Sequence, residues 1–347
     1  MRTPRRPTMA EVAKRAGCSQ STVSLVLNDI PHVRIGEETR RRVREVARAI
    51  GYQVPWPRLG GGEMGVIGFV VDRLATSPEA VVSVDGAREA AWAEGRMLLI
   101  VSTLSDPEVE RRSIESLLAR PLEGLVYASI MTRKVEPPEL LRRVPSVLLN
   151  CYCEDRSFPS VVPGEIAGGQ AATRRLIRAG HVRVGIINGE TWMDAARDRF
   201  EGYRRALATA DIPFDPDLVR DGNWDYGSGY EHTRSLMGLP DPPTAIFCAN
   251  DRMAVGAYAA LGELRLRIPD DVAVIGYDDQ EVAQHLSPQL TTMLLPHREM
   301  GQWAVVRLLH EPGGRERGGR HPVVKLECPL VERESVQPAV RVKAAAS

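Results

Sequence analysis

The sequence predicts a small all-α head joined to a larger α/β body of two lobes with parallel sheets. Three observations carry this. The first fifty residues hold short amphipathic helical patterns separated by tight breaks. From Met64 onward, short apolar runs alternate with longer amphipathic stretches, the pattern of βα units that build a parallel sheet covered on both faces. That alternation restarts near Ile166, which makes two lobes with a cleft between them. The 347 residues also exceed one compact core, since domains hold about 100–200 residues each.

In the head, Thr8-Met9-Ala10-Glu11 has the form of a capping box, in which the Thr8 hydroxyl and the Glu11 carboxylate satisfy each other's backbone N–H groups. Val12, Ala13 and Ala16 then share one helical face. Gly17-Cys18 makes a turn, and Ser19 caps a second helix with Val23, Val26 and Leu27 on its buried side. Asp29-Ile30-Pro31 breaks that helix. A third starts near Glu37, buries Val43, Val46, Ala47 and Ile50, and ends at Gly51. Three short helices with a tight turn between the first two describe a helix-turn-helix unit. Its second helix would enter the DNA major groove with Gln20, Ser21 and Thr22 foremost. Gln pairs with adenine through two hydrogen bonds, and Thr touches a thymine methyl or a phosphate. Small capped helices of this kind also build plain helical bundles, so the pattern alone leaves both readings open.

In the body, strands are expected at Met64–Val71, Met97–Val101, Gly124–Ala128 and Pro145–Leu149, with helices at Ala80–Glu94 and Pro107–Leu118 between them. The second run places a helix at Ile166–Ala179, a strand at Val182–Ile187 and a helix at Arg197–Ala210. A strand at Ala245–Cys248, a helix at Met253–Leu264 and a strand at Val272–Tyr277 complete it. Ligands bind such sheets beyond the carboxyl ends of the strands. The polar groups there are Arg197-Asp198-Arg199, Asn250-Asp251 and Tyr277-Asp278-Asp279, a set of amide, carboxylate and guanidinium groups suited to adjacent hydroxyls of a polyol. Trp224 offers an aromatic face for a sugar ring. Each has a structural alternative: Asn250 and Asp251 can cap the following helix, and a lone Trp can be core.

Charge and composition narrow the function. Net charge is zero, yet through Arg58 there are 12 Lys and Arg against 5 Asp and Glu, and beyond it 33 against 40. A basic head on an acidic body is the footprint of polyanion binding confined to one end, and a basic solvated helix face gives the same charge pattern. No apolar run approaches the roughly 18 residues of a membrane span, and no signal core follows the basic N-terminus, so a cytoplasmic protein is expected. The five cysteines lack zinc spacing and fit no disulfide framework, which points to reduced thiols and no metal or cofactor. Gly60-Gly61-Gly62 precedes a strand, whereas nucleotide-binding fingerprints follow one.

The head resembles that of LacI/GalR-family transcriptional regulators through Thr8-Met9-Ala10-Glu11-Val12-Ala13 and Gly17-Cys18-Ser19-Gln20-Ser21-Thr22-Val23-Ser24. Asn28, His32-Val33, Glu38-Thr39-Arg40 and Ile50-Gly51-Tyr52 continue the match. The body resembles the same family, and the periplasmic sugar-binding fold it shares, through Ala249-Asn250-Asp251-Arg252-Met253-Ala254, Val274-Ile275-Gly276-Tyr277-Asp278-Asp279 and Leu290-Thr291-Thr292. The resemblance implies that Gln20, Ser21 and Leu25 read bases. It implies that Thr22, Ser24 and Asn28 hold phosphates and that His32 lies in a DNA-touching loop, with Thr8 grouped among these DNA-facing positions. Leu25 lacks the donors for a bidentate guanine contact but can pack on a thymine methyl. By the same match Arg199, Asn250 and Asp278 are effector contacts, Trp224 lines the pocket and Asn150 ends a strand facing it.

The linker departs from the family. Members usually place a short hinge helix here, with a leucine wedged into the minor groove. In this sequence Gln53-Val54-Pro55-Trp56-Pro57-Arg58-Leu59-Gly60-Gly61-Gly62-Glu63 is shorter than usual, and Pro57 is followed closely by three glycines. Each interior Gly costs about 1 kcal/mol relative to Ala, so the expectation is a hinge that is extended or ordered differently on DNA. Leu59 is the first candidate wedge and Trp56 the second, with packing on the core the open alternative for either.

The expected organisation is a DNA-binding head at 1–52, a linker at 53–63, a two-lobed effector-binding and dimerisation domain at 64–337, with a flexible loop from Glu311 to Arg320, and a disordered tail at 338–347. The expected function is an effector-controlled repressor in which a homodimer reads a near-palindromic operator and a carbohydrate-like effector shifts the two lobes. A solute-binding protein for transport is the alternative; the added head and missing signal peptide oppose it. An enzyme using Asp278 and Asp279 as paired carboxylates is disfavoured, because neighbouring residues at a strand end point in opposite directions.

Overall fold

A computed structural model describes residues 7–27, 35–50, 64–74, 78–310 and 320–337. The DNA contacts expected at Asn28 and His32, the wedge candidates Leu59 and Trp56, the linker from 53 to 63, the loop opened by Glu311 and the tail from 338 lie outside those residues.

The head begins with α1 (Met9–Ala16). Thr8 Oγ1 accepts from the Glu11 N–H at 3.3 Å, and the Glu11 carboxylate accepts from the Thr8 N–H at 2.8 Å, completing the capping box. Gly17 ends the helix with φ of 64°, a left-handed conformation that glycine enters without a Cβ clash. Ser19 Oγ then accepts from the Thr22 N–H at 3.1 Å at the start of α2 (Gln20–Leu27). In α3 (Glu37–Ala49), Val43 and Ala47 bury against Val12, Ala13, Ala16, Val23 and Val26 in one small core. Leu27, Val46 and Ile50 pack at its edge, only partly buried. Helices this short depend on such packing rather than on propensity. Arg42 adds a bond to the Ala16 carbonyl at 2.8 Å, tying the third helix to the end of the first.

The first lobe runs through β1 (Gly65–Val71), α4 (Pro78–Ala93), β2 (Arg96–Ser102), α5 (Pro107–Leu118), β3 (Gly124–Lys134), β4 (Ser146–Tyr152) and β5 (Ser160–Pro163). The second holds α6 (Glu165–Arg178), β6 (Val184–Asn188), α7 (Asp194–Thr209), β7 (Val219–Asp221), α8 (Tyr226–Met237), β8 (Ala245–Cys248), α9 (Asp251–Glu263) and β9 (Ala273–Ile275). After β10 (Thr292–Met293) the chain returns to the first lobe as α10 (His297–His310) and β11 (Val323–Leu326), then pairs β12 (Leu330–Val331) antiparallel with β10. Both sheets are parallel, in the orders β11-β5-β4-β3-β1-β2 and β7-β6-β8-β9.

The chain thus passes between lobes near residues 164, 295 and 328. The crossings are bonded to one another: Gly164 N–H donates to Leu326 O at 2.7 Å and Leu294 N–H to Pro329 O at 2.8 Å. Each lobe keeps its own core. Ile67, Phe69 and Val126 pack with Met300, Ala304 and Leu308 of α10 in the first. Val184, Phe247 and Ile275 pack with Leu176 and Tyr203 in the second.

Several elements differ from the sequence expectation. β5, β7, β10, β11, β12, α8 and α10 were not anticipated. The five strands are too short to show a period, and α8 carries two glycines in its first turn, which lower helix propensity. In α10 the apolar residues serve two neighbours, α4 and the sheet, which blurs a one-sided stripe. β3 continues to Lys134 rather than ending at Ala128, with a register break against β4 between Ala128 and Arg133.

Candidate functional site

Two sites emerge, one in each part of the chain. On the head, Gln20 and Ser21 are exposed at the first turn of α2, while Thr22, Ser24 and Leu25 are half-buried. Ser19 Oγ lies 2.7 Å from Ser21 Oγ and 2.9 Å from Thr22 Oγ1, so three hydroxyls gather at one helix N-terminus. Thr8 is committed to its capping box.

In the body, a cavity of about 480 Å3 lies between the lobes, a volume typical of small-molecule sites. It sits at the carboxyl ends of the strands: Asp72 follows β1, Asn150 lies two residues before the end of β4, Glu165 follows β5, Glu190 follows β6, Asn250 follows β8 and Asp278 follows β9. Asn150, Arg199, Trp224, Asn250 and Asp278, five residues far apart in sequence, all line it.

Arg199 organises the floor. It is 3% exposed in the second turn of α7. Its Nε and Nη2 donate to the two oxygens of Glu165 at 2.8 and 2.9 Å, a bidentate fork. Its Nη1 reaches Asp278 Oδ1 at 3.3 Å and also donates to the Ala249 carbonyl. The Tyr277 ring lies 3.7 Å from the guanidinium carbon and Trp224 lies 5.6 Å away. Burial opposes the charge, but the adjacent Glu165 and Asp278 carboxylates outweigh it and raise the Arg199 pKa, so the guanidinium stays protonated.

Asn250 does two jobs. Its Oδ1 accepts from the Met253 N–H at 2.8 Å as the cap of α9, and its Nδ2 donates to the Trp224 carbonyl at 3.0 Å. The capping alternative and the cavity position therefore hold together. Trp224 has φ of 67° and packs its ring on Gly189, where any Cβ would overlap the indole. Asn150 also has a left-handed backbone, φ 56°, and binds its own lobe: Nδ2 to Ser129 O at 3.0 Å, and Oδ1 from Thr132 at 2.6 Å.

Asp278 and Asp279 lie past the end of β9, beyond the strand as expected, with φ of 107° and 55°. They still diverge: Asp278 meets Arg199, whereas Asp279 accepts from Arg333 Nη2 at 2.6 Å. Asp251 turns away from the cavity into the core, accepting from Thr292 Oγ1 at 2.6 Å and the Gln280 N–H at 2.7 Å. Its burial pushes the carboxyl up to about 7.

Sequence reasoning missed Asp72, Arg133 and Glu165. Asp72 and Glu165 follow β1 and β5, and the strand-end rule applied to the expected strand Met64–Val71 would have found Asp72. Arg133 falls after the break in β3 and carried no such signal.

Residues 8–54 match the model of bacterial regulatory proteins of the lacI family, and residues 173–336 that of a periplasmic binding protein-like domain. The chain is 31% identical to the ribose operon repressor of Haemophilus influenzae over 95% of this chain and 98% of that protein. The chain belongs to the lacI family. This lacI-family chain is also similar to the HTH-type transcriptional repressor PurR of Histophilus somni, at 29% identity over 95% of this chain and 99% of that one. Among solved structures it is similar to the transcriptional regulator CelR in its cellobiose complex, with a TM-score of 0.65, 30% identity and coverage of 95% of this chain and all of that one. The lac repressor dimer bound to operator and an anti-inducer gives a TM-score of 0.66 at 27% identity, over 96% of this chain and all of that one. This family member is thus a DNA-binding transcriptional regulator with a small-molecule effector domain. Among the described residues, no helix is long and apolar enough to cross a membrane.

Proposed function

We propose that the protein is a repressor whose homodimer reads a near-palindromic operator and whose cleft takes a carbohydrate-like effector. The observation that carries the reading is the convergence of Arg199, Asp278, Asn250 and Trp224 on one inter-lobe cavity, in a chain whose head exposes Gln20 and Ser21. Charged hydrogen-bonding groups around an aromatic face are the chemistry of polyol recognition. In the proposed organisation, residues 1–52 bind DNA, 53–63 link, and 64–337 bind effector and dimerise.

The homodimer reading draws on the first lobe. Val81, Val82 and Trp92 of α4 and Met97 and Ile100 of the edge strand β2 are each more than a third exposed. Exposed apolar residues grouped in this way mark interaction surfaces, and two heads joined through such a face match two half-sites. Effector binding shifts DNA affinity by its differing affinity for the two lobe arrangements.

The relatives' names fit this reading: a ribose operon repressor, and a regulator bound to cellobiose. The protein is read as cytoplasmic and without enzymatic activity, because the divergent Asp278 and Asp279 make a poor acid–base pair. The deciding experiment selects bound DNA from a random pool with full-length protein. Enrichment of a palindrome is expected; recovery of no common site overturns the repressor reading.

A further inference from the structure

The two walls of the cavity differ in charge. On the second-lobe side, the single Arg199 guanidinium faces two carboxylates, Glu165 and Asp278. Arg252, also at the rim, is 3.5 Å from Asp225. That side therefore carries no excess of cation.

The first-lobe wall is the reverse. One carboxylate, Asp72, stands beside two guanidiniums that line the cavity, Arg73 and Arg133. Asp72 is 7% exposed and its oxygens are filled: Oδ1 accepts from the Arg73 and Ile130 N–H groups at 2.9 Å each, and Oδ2 accepts from Ser129 Oγ at 2.9 Å and Arg133 Nη2 at 3.0 Å. Among the described residues, the Arg73 side chain has no carboxylate partner. Arg133 meets Asp72 through one nitrogen only, and its buried Nε has no hydrogen-bond partner. The Arg133 side chain as a whole is 42% exposed, and a guanidinium with donors beyond its one bond to Asp72 matches a carboxylate or phosphate. Thr132 and Ser105 place further polar groups on the same wall.

We propose that the effector is an anionic sugar derivative, with its ring and hydroxyls against Trp224, Asn250 and Asp278 and its carboxylate or phosphate against Arg73 and Arg133. This rests on the effector-cleft reading above and adds the chemical class. Arg73 and Arg133 supply the excess positive charge, and the exposed part of the Arg133 guanidinium, held in place by Asp72, supplies the directed contact. The hydroxyl-binding groups opposite set where the ring must lie. A neutral sugar leaves the two first-lobe guanidiniums with the single Asp72 carboxylate between them.

The test titrates full-length protein with matched probes: D-ribose, D-ribonate and D-ribose 5-phosphate, and D-glucose, D-gluconate and D-glucose 6-phosphate. Thermal shift and calorimetry read binding at low and high salt. The expected result is an anionic probe that binds at least about tenfold tighter than its neutral parent, with the advantage shrinking in high salt. Preference for the acid or for the phosphate distinguishes the two sources of charge. Arg133→Met and Arg73→Met are each expected to erase most of that advantage. Arg133→Lys, which keeps the charge, is expected to retain part of it, and the ligand-free melting temperature of each variant reports its folding. Neutral probes that bind as tightly as anionic ones, or an advantage that survives both Met variants, overturn the proposal and leave the effector cleft standing. No binding by any probe, together with operator affinity unmoved by any of them, overturns both readings.

Discussion

The Tyr152 hydroxyl donates to Asp194 Oδ2 at 2.7 Å, joining the end of β4 in one lobe to the first residue of α7 in the other. Burial and the Asp194 carboxylate push the tyrosine up to about 12, so it remains a donor at neutral pH. A bond between lobes counts only in arrangements that bring the lobes together. Tyr152→Phe removes a hydrogen bond to a charged group, worth about 1.5–3 kcal/mol when well shielded and less here, where Tyr152 is only part-buried. The variant is expected to bind effector several-fold more weakly while its head keeps its affinity for a single half-site. Calorimetry with effector and binding to half-site DNA check the two parts; unchanged effector affinity rejects the latch.

The Glu165–Arg199 pair lies at a crossing between the lobes, with side chains 2% and 4% exposed. Removing one partner of a buried pair strands the other charge, at about 3–5 kcal/mol. Glu165→Ala is therefore expected to lower the melting temperature of the body sharply. Asp278→Ala, which leaves the bidentate fork intact, is expected to cost less stability and to abolish the ligand-induced thermal shift. A full shift in Asp278→Ala removes that residue from the site.

Gln20 is exposed, so Gln20→Ala is expected to leave stability unchanged and to relax base preference at one operator position by about 1–3 kcal/mol. Thr8→Ala is expected to do the opposite. It loses the capping box, costs the head about 1 kcal/mol, and leaves the base preference unaltered. Binding-site selection combined with thermal denaturation separates the two effects.

Asp251 makes body stability depend on pH. Its carboxyl titrates near 7 when folded, against 3.8 ordinarily, because burial penalises the charge. The folded state then holds a proton that the unfolded chain has released, so this contribution is fully present below about pH 4 and is lost as pH rises to about 7. Asp251→Asn is expected to flatten the stability profile across that window, measured by denaturant unfolding at a series of pH values. An unchanged slope in the variant assigns the dependence to other groups.

Gly189→Ala adds a methyl where the Trp224 ring packs. The ring must move, and effector affinity is expected to fall while the fold is kept, because Trp224 is only partly buried. Tryptophan fluorescence during effector titration reads this directly.

What the sequence determined by itself is local. The capping box of Thr8 and Glu11, the Gly17 turn and the exposed start of α2 follow from neighbouring residues and backbone sterics, and all were legible before any coordinates. Asn250 and Asp278 were legible because parallel strands deliver their following residues to one edge, and Arg199, in the second turn of α7, was legible through the family resemblance. Tertiary structure alone decided what those residues touch. Glu165 meets Arg199 from 34 positions away, and Asp72 meets Arg133 from 61, because sheet order and the crossings between lobes bring distant strand ends together. Residue spacing holds no record of that order, and for this reason the charge of the first-lobe wall, and with it the proposed class of effector, came only from the fold.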